Sequence, residues 1–330
     1  MEAGAYEYDR AFYNIASHRH ESTAILVVAY NRPAYLEQVI ACIERNPESA
    51  TLPFFFFLDG GTGATQEENS ALIQRANITN KYIITRPRNY GCAKNLIDAR
   101  RFAMDWCGYE RMIVIEDDIL LTPHYIRHIL ALHDWAKQNY SRVGVVQSWS
   151  YCFLDREDKL GKLHLVQTNS MYWWSFVSYC MDREAWMAIR PYLYHYETFI
   201  DQIPLTEDYD IQRSKPGRSP VGPAIRAWVK GLIETTQHDS ANDDQQAKVQ
   251  LDMRSQFAEI DYNITSQDLM TGFALWMTGY VRLETVVNRV KHIGMHGVTV
   301  DETLFHNFRM HQISLDSFDQ DALLTDFVEL

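Results

Sequence analysis

The sequence predicts an open, mostly parallel α/β sheet, on three observations. Over the first ~110 residues, short apolar runs alternate with amphipathic, helix-period stretches. The apolar runs are continuous rather than alternating with polar residues, as in parallel strands covered on both faces. Each of the first four runs ends in polar or charged residues, and an open α/β sheet binds ligands beyond the carboxyl ends of its strands.

The elements follow in order. Residues 24–30 make the first strand; Pro33 then opens a helix that repeats Leu36, Val39, Ile40 and Ile43 on one face. Residues 54–58 are a second strand, ending at Asp59-Gly60-Gly61, and a polar helix runs to about Arg75. Residues 82–85 and 112–115 are the third and fourth strands, with a helix over about 92–106 between them. The second half is less regular. Residues 144–148 and 164–167 read as strands, and 171–181 as an aromatic stretch. A helix over about 267–280 and a strand near 284–290 close the core. The expected division is an N-terminal extension (1–22), one domain (23–308) and a peripheral tail (309–330). Within the domain, a nucleotide half to residue 120 precedes an acceptor half. The latter carries a polar, proline-containing excursion over 191–262 with one amphipathic helix near 224–235.

Composition excludes some classes. With 46% apolar and 22% charged residues, the 330-residue chain has enough material for a full core. A formal charge of −12 argues against a duplex nucleic-acid binder, which needs a basic footprint. The five cysteines show no metal-ligand spacing and no disulfide framework, so a reducing, cytoplasmic setting is expected. No apolar run reaches membrane-spanning length, and no signal-peptide core is visible at the N-terminus. A soluble catalytic domain of a secretory-pathway enzyme is the alternative setting.

Chemistry concentrates at Glu116-Asp117-Asp118, directly after the fourth strand. Three adjacent acids repel one another and become favourable when a cation sits among them. Hard oxygen ligands suit Mn²⁺ or Mg²⁺, which take one or two protein carboxylates together with phosphate oxygens and water. An acidic N-terminus for the helix beyond Pro123 is the plain structural alternative.

Residues 113–124 (IVIEDDILLTPH) resemble the metal-binding segment of GT-A-fold glycosyltransferases, most closely that of the N-acetylglucosaminyltransferase I family. The resemblance implies a Rossmann-like nucleotide-binding sheet with Asp118 as the metal ligand. It also sets Asp117 beside the nucleotide ribose and Glu116 at the turn. Residues 27–33 (VVAYNRP) are similar to the family's opening strand, whose arginine, here Arg32, contacts the donor diphosphate. Asp59 falls where an acid reads the uracil edge. Residues 89–95 (NYGCAKN) resemble the loop that closes over the donor, with Asn89, Gly91 as a close-approach glycine and Lys94 as a phosphate charge. Trp173 and Trp174 fall on a segment that lines the sugar pocket. His292 lies in a late segment (VKHIGMHGVT, 290–299), near where many GT-A enzymes place an extra metal-binding histidine.

An inverting transfer needs a carboxylate to take the acceptor proton. Asp268, in residues 265–276 (TSQDLMTGFALW), matches the family's base by position, although the family usually has two adjacent acids. Glu207, Asp208 and Asp210 compete with it. The expected activity is metal-dependent transfer of a hexose or N-acetylhexosamine from a UDP-sugar to a glycan or glycoconjugate hydroxyl. Alternatives are a retaining enzyme of the same fold, a sugar-nucleotide pyrophosphorylase, and a non-catalytic nucleotide-sugar-binding module.

Overall fold

The computed structural model describes residues 22–61, 63–150, 158–159, 161–168, 176–203, 219–235, 266–296, 301–307, 309–310 and 326–330. Trp173, Trp174, Glu207, Asp208 and Asp210 lie outside these described residues.

The first half alternates strictly. Strand β1 (Thr23–Ala29) leads to helix α1 (Pro33–Glu44), β2 (Pro53–Leu58) to α2 (Gly63–Arg75), and β3 (Asn80–Thr85) to α3 (Gly91–Arg101). Helix α3 continues as a π-turn over Phe102–Trp106, closed by the Cys107 N–H on the Phe102 carbonyl at 2.9 Å. Strand β4 (Arg111–Glu116), the short β5 (Ile119–Leu121), helix α4 (Tyr125–Asn139), β6 (Val143–Gln147) and β7 (Leu165–Thr168) follow. Then come β8 (Tyr179–Asp182), α5 (Arg183–Ile200), α6 (Gly222–Thr235), α7 (Gln267–Thr278), β9 (Val281–Thr285), β10 (Val290–His292), α8 (Glu302–Asn307) and β11 (Val328–Glu329).

Nine of the described strands form one sheet in the order β11-β7-β9-β6-β8-β4-β1-β2-β3. Strands β1 to β4 are mutually parallel, β6 and β9 share their direction, and β8, β7 and β11 run opposite. The sheet is therefore mostly parallel, as predicted.

The continuous apolar runs have a simple cause. In β1, Ala24, Leu26 and Val28 face one core layer while Ile25, Val27 and Ala29 face the other. In β2, Phe55 and Phe57 join the first layer with α3, α5, α6 and α7; Phe54 and Phe56 join the second with α1 and α4. Phe55 meets Phe102 edge-on at 5.2 Å, and all four phenylalanines of β2 are fully buried. Each such side chain contributes about 1.5–3 kcal/mol of burial free energy.

Four elements differ from expectation. Residues 191–200 are not excursion but the second half of α5, an 18-residue helix with Pro191 inside it. Its stripe Ile189, Leu193, Tyr196 and Ile200 is fully buried, and that packing outweighs the lost backbone bond. Helix α6, within the expected excursion, packs Ile225, Val229 and Ile233 into the same layer. The expected strand near 284–290 splits into β9 and β10; between them the Thr285 hydroxyl donates to the Val287 carbonyl at 2.8 Å, and Asn288 Oδ1 accepts the Ser150 N–H. The last residues pair with an edge, since β11 runs parallel to β7 and Phe327 packs on Trp135.

Candidate functional site

The strand order decides where the site lies. The chain runs outward from β1 through β2 to β3, then returns to place β4 on the other side of β1. Connections from β1 and β4 thus diverge at their carboxyl ends, leaving a crevice there. Arg32 follows β1 and Glu116-Asp117-Asp118 follows β4, so the two predicted groups face each other across it.

Their geometry is close. Arg32 Nη1 donates to Asp118 Oδ2 at 2.7 Å, and Nη2 donates to Asp117 Oδ1. The second Asp117 oxygen accepts the Tyr30 N–H at 3.1 Å. Asp118 Oδ1 is buried and accepts no hydrogen bond among the described residues. The short β5–β10 ladder pairs Ile119 with His292, and the Ile293 N–H bonds the Asp118 carbonyl at 2.8 Å. This ladder brings His292 Nε2 to 3.5 Å from Asp118 Oδ2.

Burial works against all three acids, with different outcomes. Burial lifts Glu116 well above its ordinary range, and the negative fields of Asp118, Asp268 and Asp117 add to it. Asp117 is pushed up to about 6 by burial, with Arg32 pulling it back. For Asp118, burial also raises, but His292 and Arg32 outweigh it and hold the group below its ordinary value. Asp118 is thus the acid of the triplet that stays most firmly ionised.

The ring of His292 is oriented by backbone. The Gly294 N–H donates into Nδ1 at 3.1 Å, which turns Nε2 toward Asp118. Nε2 thus lies at ion-pair distance from Asp118, a contact that carries charge only when the imidazole is protonated. Gly294 also has a steric role that the sequence did not signal. A Cβ there would lie 2.1 Å from Asp118 Oδ2 and 2.8 Å from His292 Cε1.

These residues suit a divalent cation of modest protein coordination. Among the described residues, no group of three or more His, Cys, Asp or Glu is gathered for a metal. The orphaned, buried Asp118 oxygen beside a glycine cradle fits an ion that takes one carboxylate and completes its shell with phosphate oxygens and water.

On the β2 side, Asp59 is 3% exposed. Its Oδ1 accepts the Tyr90 N–H at 2.6 Å and the Gly60 N–H at 2.9 Å. Burial pushes its carboxyl up to about 6, and these bonds offset part of that. Asn89 Oδ1 accepts the Gly91 N–H at 2.7 Å, and its Nδ2 donates to the Tyr30 hydroxyl at 3.0 Å, which ties the loop to the end of β1. Gly91 has φ 76°, a left-handed start to α3 that favours glycine.

Lys94 takes a different place from the one expected. It is 5% exposed and pairs with Asp201 at the end of α5, with Glu197 Oε1 at 3.9 Å. That makes it a tie between α3 and α5. Arg86, at the end of β3, is likewise structural: Nη2 meets Asp98 at 2.5 Å and Nε donates to Asn95 at 3.0 Å.

Asp268 reaches the crevice from the far side. Ser266 caps α7 by accepting the Leu269 N–H at 3.3 Å, which sets Asp268 in the first turn. Its Oδ1 accepts Gln267 Nε2 at 2.9 Å, and the Phe176 backbone also donates to it. Burial raises Asp268, and its negative field in turn adds to the raised Glu116.

The chain was compared with known proteins. Residues 24–178 match the sequence model of Glycosyl transferase family 2. No curated protein matches the chain. Among solved structures, a distant likeness is found to a mannosyltransferase from Pyrobaculum calidifontis solved with GDP-Man and Mn²⁺. It has 12% identity and a TM-score of 0.37, over 81% of this chain and 76% of that one. TarS from S. aureus is 9% identical with a TM-score of 0.37, over 77% and 90%. Glucosyl-3-phosphoglycerate synthase from Mycobacterium tuberculosis, solved with Mn²⁺ and UDP, is 13% identical with a TM-score of 0.33, over 60% and 71%. The segment that runs from β1 to the residue before β8, and so carries Arg32, Asp59 and the acidic triplet, is similar to Glycosyl transferase family 2.

Proposed function

We propose that the protein is a glycosyltransferase of GT-A type that uses a nucleotide-sugar donor and a divalent cation. One observation carries the reading. Within the segment similar to family 2, Arg32 and Asp118 meet across the switch point of a mostly parallel sheet, with an unpartnered Asp118 oxygen beside them.

Asp118 holds the cation, Mn²⁺ or Mg²⁺, which when bound neutralises charge on the departing diphosphate. Arg32 exchanges its carboxylate contacts for the donor diphosphate. Asp117 stands beside the ribose, Glu116 shapes the turn and shares the crevice charge with Asp268, and Asp59 reads the edge of a uracil base. The Asn89–Gly91 loop covers the donor. His292, whose ring stands beside Asp118, is the second protein ligand of the cation. Asp268 takes the proton from a carbohydrate hydroxyl, with inversion at the transferred hexose or N-acetylhexosamine. The finer likeness to the N-acetylglucosaminyltransferase I family rests on the order of these motifs along the chain. Trp173 and Trp174 are kept as sugar-pocket residues on that likeness alone.

A thermal-shift panel of UDP-, GDP- and dTDP-sugars, with and without Mn²⁺, tests this directly. Stabilisation by one nucleotide class that requires the metal is expected. No response to any donor would overturn it. Release of nucleotide by the wild type, lost in Asp268→Asn with donor binding kept, separates enzyme from binder; retained turnover would remove Asp268 as the base.

A further inference from the structure

Arg100, near the end of α3, is fully buried and far from any expected role. Its Nη2 donates to Gln267 Oε1 at 2.7 Å and its Nη1 to Thr271 Oγ1 at 3.0 Å, both on α7. Its guanidinium also lies 5.5 Å from the centre of the Tyr179 ring. Among the described residues it makes no ion pair, so its charge is buried without a carboxylate touching it. Such burial is costly unless something uses the charge.

The use lies one side chain further on. With the guanidinium on Oε1, the Gln267 amide has a single sensible orientation, because the flipped amide would set its NH₂ against five N–H donors. Its Nε2 is thereby aimed at Asp268 Oδ1, 2.9 Å away. We propose that Arg100 and Gln267 form a relay that positions the Asp268 carboxylate for proton acceptance, an inference that rests on the transferase reading above.

The indirect arrangement has a chemical logic. An arginine bonded straight to Asp268 would hold the carboxylate as a weak base. Acting through an amide, it fixes the direction of one oxygen and supplies a positive field while leaving the other oxygen for the acceptor hydroxyl. The other groups that face Asp268 are Arg282 on β9, Glu116 after β4, Cys92 in the first turn of α3, Tyr179 on β8 and Tyr196 on α5. Arg282 and the Phe176 N–H favour its ionised form; Glu116 opposes it.

The test compares Arg100→Met, Arg100→Lys and Gln267→Leu with Thr271→Val, which removes the other Arg100 contact and leaves the relay intact. Donor turnover is followed from acid to alkaline pH, with donor affinity measured by calorimetry. Arg100→Met and Gln267→Leu are expected to lower kcat about tenfold or more with donor affinity unchanged. Loss of the relay should also move the acid limb of the profile up by about one pH unit. Arg100→Lys should recover part of kcat, and Thr271→Val should lose only thermal stability. If Arg100→Met fails to fold, Gln267→Leu alone decides. Wild-type profiles in Gln267→Leu, or an equal kcat loss in Thr271→Val, would overturn the relay while leaving the transferase reading standing. A wild type that neither binds nor turns over any nucleotide-sugar would sink the parent reading instead.

Discussion

Arg32 and His292 meet on the same oxygen of Asp118, with Nη1 2.7 Å and Nε2 3.5 Å from Oδ2. The guanidinium comes from the end of β1 and the imidazole from the last residue of β10, so three distant parts of the chain build one charge cluster. In the free protein, Arg32 supplies the positive charge that the buried acids need.

The first prediction concerns that exchange of cations. Asp118→Asn should abolish Mn²⁺-dependent stabilisation by nucleotide and lower kcat/KM about 100-fold or more. The thermal shift of the variant with nucleotide, with and without Mn²⁺, measures the first effect. Metal-dependent stabilisation equal to wild type would remove Asp118 as the ligand.

Asp59 carries a pH dependence. Its carboxyl stands at about 6 in the folded protein against an ordinary 3.8, so the folded state binds this proton more tightly than the unfolded chain. The favourable contribution is full below about pH 4 and is lost as pH rises through 6. Asp59→Asn should therefore raise stability at pH 7.5 by about 2–3 kcal/mol and flatten this part of the stability–pH curve, as denaturant melts would read. The same variant should lose affinity for uracil nucleotides, by the calorimetry that would also detect the opposite.

Gly294 and Gly231 make a matched pair. At Gly294 a Cβ collides with Asp118 and His292, whereas at Gly231, inside α6, it meets nothing within 4 Å. Gly294→Ala should cost about 1–3 kcal/mol and weaken metal-dependent donor binding. Gly231→Ala should stabilise by about 0.5–1 kcal/mol through helix propensity, with donor binding unchanged. Equal behaviour of the two in melts and metal titrations would contradict the cradle.

Lys94 separates a structural role from a phosphate-binding one. Lys94→Met removes the tie to Asp201 and the longer contact to Glu197, which keeps its pair with Arg101, and should cost about 0.5–1.5 kcal/mol. Donor affinity should stay within about twofold of wild type. A tenfold loss of affinity without loss of stability would return Lys94 to the donor loop.

The alternation of apolar runs in the first half was legible because both faces of β1 and β2 are buried, which writes continuous apolar strands into the sequence. The acidic triplet was legible for a local reason too, since three charges in a row after such a strand have few structural uses. Less regular stretches resisted. Pro191 reads as a helix breaker, and only the buried stripe on either side of it overrides that signal. Strand β8 hides inside an aromatic run, because its place between β4 and β6 is set by pairing partners remote in the chain.

By itself, then, the sequence determined which residues carry charge and which strands end in them: Arg32, Asp59 and the triplet, each a few residues from an apolar run. What those charges do was decided by tertiary structure. Lys94 turns away to α5, His292 arrives with Nε2 beside Asp118, and Arg100 reaches Asp268 through Gln267. The physical reason is range. Strand and helix patterns are written in neighbours a few residues apart, whereas hydrogen bonds between buried polar groups are settled only when packing brings remote elements together and leaves each group a single partner.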